Sequence, residues 1–517
     1  MPVTRAARLG IAAVVAAAVL LGPPTAAAAG LPYELTFDGA TRLAASPAAG
    51  ATTLAVKVTQ TPAGIEFRPA AAAFPAGCSN TLDVTTCPAG HVATGLVLGA
   101  PLLESTVAGL TTPQLVLAGG AESDSMVIDG PGSIAAVALA PGAGADSVTV
   151  NAPVGAITLA PGDTGADRYT IASSSLTISG SLALGDGNDV ASSLAPNLDI
   201  DGGAGDDVLG GAGQLIGGDG SDVLKPRVAA EVAVGGDGIG DVDRLSFELM
   251  TTGLELQKTG ATDVQAVGHA PIKTGFEELE GTPHDDALRG TAGPDMLLLG
   301  GEGNDTVAGH GGGDLLDGGP GADTAGYAWA AGPVTVDLGA ETGSAGGPVD
   351  ALRSFRAVTT GAGNDNLTGA SGPESFAMGA GDDVVNAGAG DDTIDGGSGS
   401  DVLRGGYGND LLDGGAGADT ATYDERSASE PLSITLASPG GDGGAGESDT
   451  LAGVENVVSG ASNDTISGDD GANALTGGRG LDVLEGLGGG DVISGGDDRD
   501  VIGGGSGSDV LLGEGDD

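Results

Sequence analysis

The sequence predicts an all-β fold assembled from short, repeated strands. Three observations support this class: glycine supplies 100 of the 517 residues, acidic residues recur at intervals of nine, and an aliphatic residue usually stands two places after each of them. Internal repeats of this kind are the signature of stacked, solenoid-like architectures. Because aromatic residues make up only 3% of the chain, no large aromatic core is available, and each short strand has one aliphatic side chain to bury.

The chain is strongly acidic. It contains 71 Asp and Glu residues against 18 Lys and Arg residues, which gives a formal net charge of −53. Nucleic acid and anionic membrane surfaces are not expected as partners, because both would be repelled by this charge. A multivalent cation is the natural complement to such a surface.

The nine-residue spacing is strict in two arrays and contains one ten-residue step in a third. The acidic positions are Asp365, Glu374, Asp383, Asp392, Asp401, Asp410 and Asp419 in one array, Asp464, Asn473, Asp482, Asp491, Asp500 and Asp509 in another, and Asp286, Asp295, Asp305, Asp314 and Asp323 in the third. A weaker set contains Asp189, Asp207 and Asp222.

Residues 396–404 form one complete unit, Gly-Gly-Ser-Gly-Ser-Asp-Val-Leu-Arg. Glycine adopts positive φ without strain, so the first six residues can bend tightly and point their carbonyl oxygens inward. The last three residues make a minimal strand that buries one aliphatic side chain. Calcium takes about six to eight oxygen ligands from carboxylates and carbonyls. One turn cannot supply that many oxygens, whereas two stacked turns can.

This unit resembles the RTX (hemolysin-type calcium-binding) nonapeptide repeat. The resemblance implies a right-handed parallel β-roll or β-solenoid in which one coil is two nonapeptides, so that an Asp at position i faces one at i+18. Asp383 would then share a calcium ion with Asp401, and the three arrays together would hold roughly twelve ions. The calcium ligands implied are Asp207, Asp222, Asp286, Asp295, Asp305, Asp314, Asp323, Asp365, Asp383, Asp392, Asp401, Asp410, Asp419, Asp464, Asp482, Asp491, Asp500 and Asp509.

Two alternatives to a calcium-loaded roll remain open from the sequence. A Gly- and Asp-rich chain can be a solvated, disordered spacer, although the strict period argues against it. It can also be a β-solenoid without metal, because Glu374 and Asn473 show that not every slot holds an Asp.

The repeat arrays are predicted at residues 185–234 (weak), 281–326, 360–422 and 460–517. Three inserts separate them, at residues 235–280, 327–359 and 423–459, and each spans 42 to 45 residues from the last array Asp to the next. Alternating apolar residues at Val334, Val336 and Leu338 indicate strands, so we expect the inserts to be wider rungs of the same stack. Tyr327, Trp329 and Tyr423 are expected to pack inside the inserts, with an aromatic binding patch as the alternative.

Residues 1–29 have the three parts of a secretory signal peptide: Arg5 and Arg8, an apolar run from Leu9 to Leu21, and three alanines at 27–29. The apolar run is too short to span a bilayer, for which about 20 residues are needed. We therefore expect export and an extracellular location without a membrane span. A retained anchor is the alternative.

Residues 30–112 have fewer Gly and Asp residues, and we predict a small β module that precedes the solenoid. It contains both cysteines of the chain, Cys78 and Cys87. In an oxidising compartment, two cysteines this close indicate a local disulfide, with two free thiols as the alternative. Residues 113–184 contain short alternating runs and are predicted to be irregular solenoid rungs.

The sequence contains no recognisable catalytic motif. It has no His-Glu-x-x-His, no Gly-x-Ser-x-Gly and no phosphate-binding Gly-x-x-x-x-Gly-Lys, and its four histidines are scattered. We therefore predict a non-enzymatic, secreted calcium-binding protein with a structural or adhesive role and an unidentified partner at a cell surface or in the extracellular matrix. The alternative is a calcium-dependent hydrolase or toxin-like protein with an unrecognised catalytic region.

Overall fold

We describe the fold from a computed structural model of the chain. Between residues 33 and 129 the structure describes ten strands only; beyond them it describes residues 134–140, 143–159, 165–172, 179–227, 233–236, 241–258, 263–266, 275–438 and 440–513. These residues form 54 β-strands, with no helix among them. The predicted all-β class is therefore confirmed for the described part of the chain. The predicted signal peptide at residues 1–29 and Cys78 lie outside the described residues.

The first half of the chain holds strands of up to eight residues. Up to residue 129 they are β1 (Tyr33–Phe37), β2 (Arg42–Pro47), β3 (Leu54–Thr61), β4 (Gly64–Pro69), β5 (Ser79–Asn80), β6 (Thr85–Pro88), β7 (Gly95–Gly99), β8 (Leu103–Ala108), β9 (Thr112–Ala118) and β10 (Ser125–Asp129). They continue with β11 (Ile134–Ala140), β12 (Ser147–Val150), β13 (Ala156–Leu159), β14 (Arg168–Ile171), β15 (Ser179–Asp186), β16 (Val190–Ser193), β17 (Asn197–Ala204), β18 (Val208–Gly211), β19 (Leu215–Asp219), β20 (Val223–Pro226), β21 (Ala233–Gly236) and β22 (Arg244–Ser246).

The second half holds shorter strands. To residue 359 they are β23 (Glu255–Lys258), β24 (Val264–Ala266), β25 (Glu278–Glu280), β26 (Ala287–Arg289), β27 (Leu297–Leu299), β28 (Thr306–Ala308), β29 (Leu315–Asp317), β30 (Asp323–Gly326), β31 (Thr335–Asp337), β32 (Thr342–Ser344), β33 (Asp350–Arg353) and β34 (Phe355–Thr359).

The remaining strands follow the two long arrays and the insert between them. They are β35 (Asn366–Thr368), β36 (Ser375–Ala377), β37 (Val384–Ala389), β38 (Thr393–Asp395), β39 (Ser398–Gly399), β40 (Val402–Tyr407), β41 (Leu411–Asp413), β42 (Ala416–Gly417), β43 (Thr420–Thr422), β44 (Ser433–Thr435), β45 (Thr450–Ala452), β46 (Asn456–Val458), β47 (Thr465–Ser467), β48 (Ala474–Arg479), β49 (Val483–Glu485), β50 (Gly488–Gly489), β51 (Val492–Asp497), β52 (Val501–Gly503), β53 (Ser506–Gly507) and β54 (Val510–Leu512).

The chain divides into two compact units. Unit 1 contains Met1–Met250 and Thr262–Leu279, and unit 2 contains Thr251–Ala261 and Glu280–Asp517. In unit 1, antiparallel pairs near the N-terminus (β1 with β2, β3 with β4, β4 with β6) precede two parallel columns of strands. One column runs through β9, β11, β13, β15, β17, β19 and β21, and the other through β8, β10, β12, β14, β16, β18, β20 and β22.

Unit 2 is a parallel β-solenoid with a regular step of 18 residues in its arrays. Val384 pairs with Val402, and Thr393 pairs with Leu411 in the other column. Through most of the arrays the aliphatic residue two places after each acidic position is buried, as Val385, Ile394 and Leu403 are, whereas Leu511 in the last strand is exposed. The predicted coil of two nonapeptides, with one buried aliphatic residue in each, is therefore confirmed here.

The insert at residues 327–359 is more than a wider rung. It contains an antiparallel meander in which β32 pairs with both β31 and β33. Because β33 continues the column of β29 while β31 begins the column of β35, the meander ends one column and starts the next. The prediction that this insert simply continues the stack misses this antiparallel part.

Glycine is required where successive turns touch. Gly399 has φ of +147°, and a Cβ placed on it would lie 1.7 Å from the carbonyl oxygen of Gly381, one turn earlier. A side chain at this position would therefore need both an unfavourable backbone conformation and a displaced neighbouring turn.

We predict that Gly399→Ala lowers the free energy of unfolding by about 2–4 kcal/mol, because it combines backbone strain with overpacking. The matched control is Gly347→Ala, since Gly347 is exposed and a Cβ there meets no atom within 4 Å. Thermal unfolding of both variants in calcium provides the measurement. Equal midpoints for the two variants would contradict the stacked-turn geometry.

Candidate metal centre

The acidic residue of each repeat is buried and stacked on its counterpart one coil away. The backbone N–H of Asp365 donates to Oδ1 of Asp383 at 2.7 Å, that of Asp383 to Asp401 at 2.8 Å, and that of Asp401 to Asp419 at 2.8 Å. The i, i+18 neighbours that the repeat predicts are therefore brought together. One carboxylate oxygen of each Asp is occupied by this hydrogen bond.

The second carboxylate oxygen, Oδ2, is buried without a hydrogen-bond partner in most of these residues. This holds for fourteen of the eighteen predicted ligands, namely Asp207, Asp222, Asp305, Asp314, Asp323, Asp365, Asp383, Asp392, Asp401, Asp410, Asp419, Asp464, Asp482 and Asp491. Asp500 belongs to the same series, since its Oδ1 accepts the N–H of Asp482 at 2.9 Å. An unpaired carboxylate oxygen in the interior carries a large desolvation cost unless a cation or a donor compensates it.

At several of these sites a glycine lies between the carboxylate oxygen and a backbone carbonyl oxygen of the next coil. A Cβ built on Gly396 would be 2.8 Å from Oδ2 of Asp401 and 2.7 Å from the carbonyl oxygen of Gly414. The corresponding distances at Gly477 are 2.5 Å to Asp482 and 2.6 Å to Gly495. The absence of side chains at these glycines thus leaves a cradle lined by oxygens of two successive turns, which is the donor set that calcium prefers.

We call the series of stacked acids joined by these N–H to Oδ1 hydrogen bonds the ladder. The electrostatics of this buried ladder favour a bound cation. Burial raises the pKa of Asp401 and Asp410 to about 6, and that of Asp305 and Asp314 to about 7. The hydrogen bond from the preceding Asp N–H opposes this shift, and neighbouring acidic residues add to it. Without a cation, these four carboxyls keep their protons to a higher pH than an ordinary Asp, and a divalent ion would displace those protons.

Side chains alone do not form a conventional metal cluster. Among the residues that the structure describes, no three His, Cys, Asp or Glu side chains gather closely enough to hold an ion. Each turn contributes one carboxylate to the ladder, so an ion bound there must draw the rest of its ligands from backbone carbonyls. Calcium accepts such mixed oxygen ligands, and the residues present fit it.

Three predicted ligands differ from the rest. Oδ2 of Asp286 accepts the N–H of Thr282 at 2.5 Å, and Oδ2 of Asp295 accepts that of Thr291 at 2.8 Å. Asp509 is half-buried, and its Oδ1 accepts the N–H of Asp491 at 3.1 Å. In Asp286 and Asp295 the oxygen that is unpaired elsewhere already has a partner within its own loop.

Sequence reasoning missed part of the ladder in unit 1. Asp146, Asp167 and Asp189 are buried, and they precede Asp207 in an unbroken series of the same N–H to Oδ1 hydrogen bonds. Asp189 belongs to the weak set found in the sequence, whereas the spacings of 21 residues from Asp146 to Asp167 and of 22 residues from Asp167 to Asp189 hide the first two from a search for nines. The available signal is Gly-Ala-Asp or Gly-Asn-Asp directly before a strand. Asp442, with a buried and unpaired Oδ2, was also missed.

The fold and the oxygen-lined turns define a calcium-binding β-solenoid, and comparison with protein families agrees. A family model described as the RTX calcium-binding nonapeptide repeat (4 copies) matches residues 297–325, 379–403, 395–423, 449–484 and 476–511. The resemblance found in the sequence is thereby confirmed, and the chain is an RTX-repeat protein over these segments. No curated protein gives a significant match. No helix in the described residues is long and apolar enough to cross a membrane.

We predict that the calcium-free solenoid loses stability as the pH rises. Several buried carboxyls of the ladder have a pKa raised by burial from an ordinary value of 3.8, to about 6 at Asp401 and about 7 at Asp305. Their contribution is therefore fully present below pH 3.8 and is lost as the pH rises through 6 to 7. Urea midpoints measured across this range in calcium-free buffer test the sign, with high monovalent salt to screen surface repulsion. A midpoint that increases from pH 4 to pH 8 would contradict the buried, unpaired carboxyls.

We predict that Asp401→Asn reduces calcium binding, because the amide nitrogen that replaces Oδ2 cannot ligate a cation. The loss of one site at millimolar calcium corresponds to roughly 0.4–1.4 kcal/mol of stability. The control is Asp395→Asn, which removes the same charge from an exposed position in β38. Calcium stoichiometry by calorimetry and unfolding in calcium are the measurements. If both variants lose calcium equally, total charge rather than the ladder controls binding.

Proposed function

We propose that this chain is a secreted calcium-binding protein whose repeat arrays fold on extracellular calcium, and that the folded solenoid has a structural or adhesive role at a cell surface. The proposal depends on one observation above all: a buried, unpaired carboxylate oxygen recurs beside a glycine carbonyl along the arrays. A protein that repeats the same site so many times uses the ions as part of its architecture.

Charge explains why folding would depend on calcium. The chain has a formal net charge of −53, and the fold stacks many of the acids at intervals of one coil. At neutral pH this arrangement is opposed both by repulsion along the ladder and by desolvation of each carboxylate. Each site is weak at about 0.1–1 mM, but roughly twelve sites would together contribute about 5–17 kcal/mol, the scale of a whole domain's stability.

The environment in which such sites fill is extracellular, since weak calcium modules of this kind operate at about 0.1–1 mM. The signal-like pattern of residues 1–29 supports export. N-terminal sequencing of the exported protein checks this step, and retention of residues 1–29 in the mature protein would count against it.

A structural role suits the described residues better than a catalytic one. Tyr327 and Tyr423 are buried inside their inserts as expected, whereas Trp329 is 37% exposed and stacks on His310, so the expectation that it packs inside is wrong. The buried acids occupy the repeated ladder, so their raised pKa values reflect the architecture of the arrays and do not single out one catalytic position. The proposal therefore gives the buried acids two roles: they bind calcium, and they accept the hydrogen bonds that join successive coils.

We predict that calcium converts the chain from an expanded to a compact form with a midpoint near 0.1–1 mM. Circular dichroism and the hydrodynamic radius, followed from chelator to 5 mM calcium, are the measurements. Magnesium is the matched control, because it is smaller and retains its water ligands, and it should not substitute at equal concentration. Spectra and radius that remain unchanged between chelator and millimolar calcium would overturn the proposal.

A further inference from the structure

The three inserts contain a matched aromatic residue at the same place. Phe247, Tyr327 and Tyr423 each follow a buried Asp that accepts an N–H from an Asp one coil earlier (Asp243, Asp323 and Asp419) by four residues, and all three aromatic residues are buried. The carbonyl oxygen of each accepts an N–H from three residues later, at 2.9, 2.9 and 3.0 Å respectively. These residues are therefore equivalent positions in three copies of one structural element.

In two inserts this residue is a tyrosine whose hydroxyl forms a hydrogen bond with the second oxygen of a buried carboxylate. The Tyr327 hydroxyl donates to Oδ2 of Asp350 at 2.7 Å, and Oδ1 of Asp350 accepts the N–H of Asp314 at 2.9 Å. The Tyr423 hydroxyl likewise lies 3.0 Å from Oδ2 of Asp449. Asp350 and Asp449 are each the last acid in a series of ladder hydrogen bonds. Both carboxylate oxygens of each residue have partners within the protein.

The first insert has phenylalanine at this position, which cannot donate a hydrogen bond. In this insert a lysine pairs with a buried carboxylate instead. The Nζ of Lys258 lies 2.8 Å from Oδ1 of Asp295, with the two side chains 1% and 0% exposed. Oδ2 of the same residue accepts the N–H of Thr291. Asp295 is therefore neutralised by an ammonium group of the chain itself. A buried carboxylate and a buried ammonium group are stable only when they are paired in this way.

We propose that Tyr327, Tyr423 and Lys258 take the place of calcium at the junctions of the arrays, so that the inserts stay folded when calcium is withdrawn. The distinction is between array acids, whose Oδ2 is unpaired, and junction acids, whose oxygens have donors. Asp442 in the third insert has an unpaired Oδ2, but it is not a junction acid and its Oδ1 accepts the N–H of Thr435 at 2.6 Å.

The consequence is a chain with two kinds of segment. Without calcium the arrays unfold, while the inserts remain as folded nuclei that keep the strand register. With calcium each array then extends from an existing edge, which avoids the entropic cost of starting each array from an unfolded chain. This inference rests on the proposed calcium-dependent folding of the arrays.

Hydrogen exchange of the full-length protein, in chelator and in 5 mM calcium, tests the inference directly. In chelator we expect protection to persist in Asp350–Thr359 and in residues 450–458, while residues 384–413 lose protection by more than about 100-fold. Equal loss of protection in inserts and arrays would overturn the inference. If calcium changes protection nowhere, the proposed function itself fails, so the two failures are distinguishable.

Single substitutions test which side chains are responsible for the protection of the inserts in chelator. Tyr423→Phe leaves Oδ2 of Asp449 without its donor, and it should reduce the protection of residues 450–458 in chelator at least tenfold. Tyr407→Phe is the control, because Tyr407 is exposed and its ring lies against the guanidinium of Arg426. Lys258→Met should act in the same way on residues 255–258 of the first insert. If either variant fails to fold in calcium, the wild-type exchange pattern still decides the inference, and unchanged protection in both variants would assign the stability to other contacts.

Discussion

The fold depends on a hydrogen bond that is repeated once in every coil. The backbone N–H of one Asp donates to Oδ1 of the Asp one coil later, as between Asp383 and Asp401. This bond links the register of neighbouring coils, because the carboxylate of one coil accepts the N–H at the equivalent position of the coil before it. It also fixes the carboxylate plane and leaves Oδ2 buried beside a glycine carbonyl. The structural role and the metal-binding role therefore belong to two oxygens of the same side chain.

This division explains why calcium and protons compete for the same ladder. Burial makes an uncompensated carboxylate unfavourable, so its pKa rises, to about 6 at Asp401. Either a proton or a divalent ion removes the penalty, but only the ion also joins successive turns through their carbonyls. Below the folded pKa the ladder is neutral without metal, whereas at neutral pH calcium is the compensating group that also orders the turns.

The nonapeptide period is sufficient to predict the parallel columns, the buried aliphatic residues and most of the acidic ladder, because each follows from a fixed repeat length. It does not predict Asp146 and Asp167, since the coils of unit 1 vary in length while their hydrogen bonds stay the same. The pairing of Lys258 with Asp295 is also hidden, because it joins residues far apart in sequence through side-chain direction. The disulfide of Cys78 and Cys87 stays a prediction.

The slots that hold no Asp argue for the calcium ladder rather than against it. Glu374 and Asn473 are each the first residue in a series of ladder hydrogen bonds. No acid one coil earlier in the same array can therefore share an ion with them. Glu374 accepts N–H groups of its own loop from Ala370 and Gly372, and Asn473 donates its amide to the carbonyl of Glu455 at 3.0 Å. Asp295, also first in its column, has Lys258. At these three positions the side chain already has partners within the protein and does not require an ion.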